Sequence, residues 1–134
     1  MRAARVLIVD DDEVLLEALK ETLQLRLAHV TIDTSASTLD ALQRIRSVAY
    51  DAIVADVAMP GMDGLELLAH VRQLQPDTPT LLMTGHGDQD LAQRAIREGA
   101  HEYLQKPLDR EHFVTVLGRA IEIRRAARQL EDKP

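Results

Sequence analysis

Cysteine and tryptophan are absent from this chain, and aromatic residues of any kind are nearly so: Phe113, Tyr50 and Tyr103 are the whole set. Without thiols there is no disulfide framework, and nothing about a redox compartment can be read. Without aromatics the core has to be aliphatic, built from Leu, Ile, Val and Ala. A chain of 134 residues is the size of one domain and too short for two. Such a domain buries roughly 65–70% of its unfolded surface, so it needs no staple. No apolar run approaches the roughly 20 residues that span a bilayer. The opening MRAARVLIVDDD runs into acids at once, unlike a secretory signal, so a cytoplasmic domain without membrane insertion is expected. Lysine is also scarce. Of 16 bases only Lys20, Lys106 and Lys133 are lysine, and 22 acids outweigh them to a formal charge of −6. That balance argues against direct nucleic acid binding through bulk electrostatics.

What the chain does have is a strict alternation of short apolar runs and longer amphipathic segments. Val6, Leu7, Ile8 and Val9 form a first strand, ended by three aspartates. Leu15, Ala18, Leu19 and Leu23 put one apolar stripe on a helix over 13–25. Val30 and Ile32 alternate with polar residues in a second strand, nearer an edge. A second helix, capped by Ser37 or a polar neighbour, carries Ala41, Leu42, Ile45 and Val48 on one face. A third strand covers 51–56, and Pro60-Gly61 and Asp63-Gly64 punctuate the loop after it. A helix bearing Leu67, Leu68, Val71 and Leu74 stops before Pro76, and a strand over 80–83 leads to Thr84. Asp88 is placed to cap a helix bearing Leu91, Ala92, Ala95 and Ile96, closed by Gly99. A fifth strand over 102–105 precedes Lys106-Pro107, and a last helix starts near Asp109. Five β/α units in alternation imply an α/β class with a doubly wound parallel sheet, right-handed crossovers and helices on both faces. Strand order is not readable from pattern alone.

In such sheets the ligand site lies outside the carboxyl ends of the strands. Those ends carry Asp10, Asp11 and Asp12, then Asp56, Thr84 and Lys106. Singly each has a plainer reading: Asp12 as a helix N-cap, Asp56 and Thr84 as turn residues, Lys106 as a solvated lysine. Two acidic clusters at equivalent strand ends instead favour a hard divalent cation, Mg²⁺, held by carboxylates, a backbone carbonyl and water. Zn²⁺ does not suit a chain with no cysteine and five scattered histidines. Lys106 is held extended by the proline that follows it, and a cis bond there would aim it toward the same crevice. No hydrolytic triad and no glycine-rich nucleotide cradle is present. An aspartate beside Mg²⁺ and a lysine suits phosphoryl transfer, with Asp56 as nucleophile.

The segments VLIVDDDEVLLEAL, YDAIVADVAMPGMDGLELL, TPTLLMTGHGD and GAHEYLQKPLD, in this order, resemble the response-regulator receiver domain of two-component signalling. MPGMDG and GAHEYLQKPLD look most like nitrogen-regulation-type receivers. The resemblance runs from about Arg5 to Arg124. It assigns 1–124 to the receiver domain and 125–134 to an extension of the last helix, a linker or tail. It implies a flavodoxin-like (βα)5 fold of strand order 2-1-3-4-5. Carried over by position, Asp56 is the phospho-acceptor. Asp11 ligates Mg²⁺ directly, Asp10 assists through water, and the carbonyl of Ala58 supplies a backbone ligand. Thr84 bonds a phosphoryl oxygen and Lys106 pairs with another, before a cis Pro107. Tyr103 matches the aromatic switch and turns inward as Thr84 moves. His86 reads either as a tuner of dephosphorylation or as a plain loop residue.

The same resemblance implies a histidine kinase or phosphotransfer protein as phosphodonor. It also implies a switched surface around the fourth helix, fifth strand and fifth helix, where a homodimer would form, and a downstream effector domain. The chain is then a signalling domain that assists its own phosphorylation and dephosphorylation rather than an enzyme. A phosphorylation-independent interaction domain on the same fold is the alternative, and a flavin binder is disfavoured by the shortage of aromatics.

Overall fold

The computed structural model describes residues 3–85 and 89–131. Val6 to Val9 are β-branched or branched aliphatics with no room for helix-favouring polar spacing, and β1 covers Ala4–Val9. Helix α1 (Glu13–Arg26) starts where the Asp12 carboxylate accepts from the Leu15 amide, satisfying one of the free N–H groups of its first turn. The same device starts two more helices. Ser37 caps α2 (Thr38–Ser47) through the Asp40 amide, and Asp63 caps α3 (Gly64–Leu74) through the Glu66 amide. The remaining elements are β2 (Val30–Ser35), β3 (Ala52–Asp56), β4 (Thr80–Thr84), α4 (Gln89–Arg97), β5 (Glu102–Gln105) and α5 (Arg110–Glu131). The expected cap Asp88, like His86, lies outside the described residues.

The sheet has the order β2-β1-β3-β4-β5 with every pair parallel, so the expected 2-1-3-4-5 fold is what the chain adopts. Alternation along the strands splits the core into two layers. Val6, Ile8, Ala52, Val54, Leu81 and Met83 face α1 and α5, where Leu16, Leu23, Phe113 and Leu117 meet them. Leu7, Val9, Ile53, Ala55 and Leu82 face the other side, against Ala41, Ile45, Leu67, Leu68 and Val71. β3 is buried along its whole length, as a central parallel strand covered on both faces must be.

Three details differ from the sequence pattern. The stripe that α1 buries is Leu16, Leu19 and Leu23, whereas Ala18 is exposed and Leu15 only half-buried. A run of leucines offers two overlapping stripes, and packing against Phe113 and Leu117 selects one. In α4 only Ala95 is buried, and Ile96 stands 51% exposed. Gly64 is more than turn punctuation. A Cβ there would overlap the carbonyl oxygen of Asp56 and come within 2.8 Å of the Val57 Cα. Glycine is thus what lets α3 begin directly against the end of β3.

Candidate phosphoryl-acceptor site

The parallel register assembles the site. Val9 lies beside Ala55, Asp56 beside Met83, and Thr84 beside Gln105. Residues at or just beyond these pairs therefore gather at one edge: Asp10 and Asp11 after β1, Asp56 on β3, Thr84 on β4 and Lys106 after β5. One carboxylate oxygen each from Asp10, Asp11 and Asp56 lies within 4.8 Å of the others. Asp10 and Asp56 are buried and Asp11 is exposed, so the cluster is rooted in the sheet and open on one side.

Lys106 closes the cluster from β5. Its Nζ donates to Asp10 Oδ2 at 2.6 Å and to Asp56 Oδ2 at 3.1 Å. The Lys106–Pro107 peptide bond is cis, as expected. The other oxygens also have donors: Asp10 Oδ1 accepts from the Asp12 amide at 2.9 Å, and Asp56 Oδ1 from the Ala58 amide at 3.3 Å. Asp56 and Ala58 are thus tied by a short turn, with Ala58 itself exposed. Thr84 is buried, and its carbonyl accepts from the Lys106 amide at 2.7 Å.

Burial pushes the Asp10 carboxyl up, and the charge of Asp56 adds to that. The Lys106 and Asp12 hydrogen bonds pull it back only in part. Burial pulls the Lys106 ammonium down, but the hydrogen bonds it donates to Asp10 and Asp56, with the charges of those acids, outweigh it and leave the group above its ordinary value. Three acids facing one lysine leave a local excess of negative charge. All the acid donors are oxygen, and Asp11 is open to solvent. That donor set fits a hard, oxygen-seeking divalent cation.

Tyr103 lies on β5 with its ring against the α2–α3–α4 side of the core. Its hydroxyl is already buried and has no hydrogen-bond partner among the described residues.

One set of polar residues escaped the sequence reading. At the opposite end of β3, Asp51 accepts from the Arg5 amide at 2.8 Å and from Arg128 Nη1 at 2.6 Å. The signal was present in α5. Leu117, Ile121, Arg124 and Arg128 follow helical spacing, so the buried face runs on from apolar residues into arginines.

Residues 6–118 match the family described as the response regulator receiver domain. The chain belongs to that family. Among curated relatives, this receiver is 39% identical over 123 residues to the C4-dicarboxylate transport transcriptional regulatory protein DctD of Rhizobium meliloti (strain 1021), an alignment covering 92% of the chain and 26% of the relative. It is 37% identical over 121 residues to the DNA-binding transcriptional regulator NtrC of Escherichia coli (strain K12), covering 90% and 25%. The receiver thus spans about a quarter of the length of these relatives, and their kind agrees with the nitrogen-regulation-type resemblance. Among solved structures, the signal receiver domain of a putative Luxo repressor protein from Vibrio parahaemolyticus superposes with a TM-score of 0.91 at 26% identity, over 98% of this chain and 99% of that one. The signal receiver domain of an HD domain-containing protein from Pseudomonas fluorescens Pf-5 gives 0.86 at 33% identity, over 93% and 99%. No helix among the described residues is long and apolar enough to cross a membrane.

Proposed function

We propose that this receiver accepts a phosphoryl group on Asp56 from the phosphohistidine of a histidine kinase or phosphotransfer protein. The observation that carries this reading is the convergence of Asp10, Asp11 and Asp56 within 4.8 Å, with the Lys106 ammonium on Asp56 at 3.1 Å. A carboxylate oxygen of Asp56 attacks phosphorus, the P–N bond breaks, and the imidazole leaves with its electron pair. Asp11 and Asp56, with the Ala58 carbonyl, would hold Mg²⁺ directly, and Asp10 would hold it through water. When bound, the cation supplies positive charge to the phosphoryl oxygens as charge shifts between them. Lys106 supplies the second positive charge, already poised on the acceptor carboxylate. The Asp56–Ala58 turn orients the attacking oxygen.

The product adds about −1.5 to −2 charge and three acceptor oxygens. Thr84 would bond one oxygen, and its shift would bias how Tyr103 packs, so that α4, β5 and α5 present a changed surface. Self-association through that surface is the proposed immediate output. His86 would adjust the rate at which water removes the phosphoryl group. The body is taken as 1–124 and the extension as 125–134. In the manner of the transcriptional regulators it resembles, the extension would lead to a cytoplasmic effector.

Acetyl phosphate with Mg²⁺ tests the acceptor. Intact-mass spectrometry should show one added phosphoryl group on the native chain and none on Asp56→Asn. Stoichiometric labelling of Asp56→Asn would place the acceptor elsewhere. No labelling of the native chain, by acetyl phosphate or a phosphorylated donor protein, would favour a phosphorylation-independent interaction domain.

A further inference from the structure

At the opposite end of the sheet from Asp56, a cleft of about 300 Å³ lies between α5 and the turns that lead into β4 and β5. Its walls include Pro76, Pro79, Ile123 and Ala127, which are apolar, and Arg124 rises from its α5 side. The phosphoryl site uses none of these residues.

Arg124 is the anomaly. Its side chain is only 12% exposed, and its Nε and Nη1 are buried with no hydrogen-bond partner among the described residues. Among the described residues the carboxylate that faces it is Glu131, 3.7 Å from Nη1 and beyond hydrogen-bond reach. Glu131 is itself 55% exposed, so the pairing is weak in solvent. Its i,i+4 neighbour Arg128 shows what a satisfied arginine looks like on this face, bonded to Asp51 at 2.6 Å. A guanidinium taken out of water without acceptors is costly. An acceptor brought by a ligand to the guanidinium's open edge would offset part of that cost, and arginine is the side chain suited to oxyanions.

The surroundings narrow the ligand class. Asp77 and Glu131 also line the cleft, offset by Arg124 and by Arg72, whose Nη1 already donates to the Pro76 carbonyl at 2.9 Å; two acids against two arginines leave no charge surplus to hold a doubly charged phosphate. A single negative charge meets less repulsion. The prolines, Ile123 and Ala127 offer contact to a compact apolar body, and the volume sits at the small end of ligand pockets. We propose that this cleft binds a singly charged organic carboxylate with a small apolar body, its carboxylate accepting hydrogen bonds from Arg124.

Benzoate is the probe, titrated into the ¹⁵N-labelled chain and followed by amide chemical shifts, with inorganic phosphate titrated in parallel. Saturable shifts are expected at Thr78, Gly99, His101 and Ala127 with benzoate but not with phosphate. Arg124→Met should weaken benzoate binding roughly tenfold or more, the loss of a charged hydrogen bond. It should keep its thermal midpoint, because an unsatisfied buried charge is being removed. Glu131→Gln should bind as tightly or more tightly. Ala127→Phe, which fills the cleft and keeps Arg124, should abolish the shifts. Shifts that never saturate, that persist in Arg124→Met, or that phosphate reproduces would overturn the proposal. If Arg124→Met unfolds, Ala127→Phe decides alone. The readout does not pass through Asp56, so failure here and failure of acceptor labelling are separate results.

Discussion

Asp10 and Lys106 are 96 positions apart in the chain, yet their charged ends meet at 2.6 Å. The lysine does for two buried acids what a bound cation would do. Lys106→Met should therefore expose the conflict between Asp10 and Asp56. A loss of about 3–5 kcal/mol is expected in chelator, the scale for breaking a buried pair from one side. Millimolar Mg²⁺ should restore more stability to Lys106→Met than to the native chain in paired thermal melts. Equal restoration would mean that lysine and cation do not share a place. Tyr50 carries a different residue-scale charge effect. Burial, the hydrogen bond from its hydroxyl to Asp33 and the charge of Asp33 push its phenol from 10.0 up to about 12. The fold thus favours the protonated phenol. The resulting stability is complete below pH 10 and is lost as pH climbs toward 12. Melting temperature should fall more steeply across that window in the native chain than in Tyr50→Phe. At neutral pH Tyr50→Phe should cost about 1.5–3 kcal/mol, the worth of a hydrogen bond to a charged acceptor.

Elements were more legible than the contacts between them. The alternation of β-branched runs with amphipathic segments was enough to find all five strands and five helices, because each needs its own hydrophobic period. The leucine-rich α1 was ambiguous between two stripes, since period alone does not say which stripe the neighbouring α5 prefers. Gly64 looked like a turn signal because its purpose, a close approach to the Asp56 carbonyl, lies across space. Arg128 fell in the segment read as a helix extension, linker or tail for the same reason: Asp51 is 77 positions away. That contact gives α5 a testable property. Asp51 is nearly fully buried at 3% exposure, and Arg128→Ala would leave it with the Arg5 amide as its remaining donor among the described bonds. A loss of about 1–3 kcal/mol is expected. Amides of 126–131 should also exchange faster with deuterium, while those of 113–121 keep their protection. Uniform protection throughout would mean that the end of α5 is held by its apolar contacts instead.

The whole molecule is polar in a geometrical sense: one end of the sheet gathers acids and Lys106, the other brings Arg128 of α5 and the Arg5 amide onto Asp51. The first end was visible in the sequence because strand ends in a parallel sheet fall in register, so polar residues after apolar runs converge. The second was invisible because it depends on where a helix of 22 residues lies after passing its strand. At this scale the testable property is assembly. Half-exposed Ile96 on α4 belongs to the surface proposed to change on phosphorylation. Beryllofluoride with Mg²⁺, a phosphoryl mimic, should raise the mass measured by light scattering toward that of a dimer, and should do nothing to Asp56→Asn. An unchanged mass would move the output to another partner.

β3 joins those two ends. Neighbouring strands pair with both of its edges, its side chains are buried throughout, and Asp51 is gripped at its start by Arg5 and Arg128. At its finish α3 abuts it with only a glycine between. A rod clamped in this way cannot slide or rotate without unfolding its neighbours. β3 is therefore the anvil of the molecule: a charge placed on Asp56 has to do its work on the looser pieces set around it.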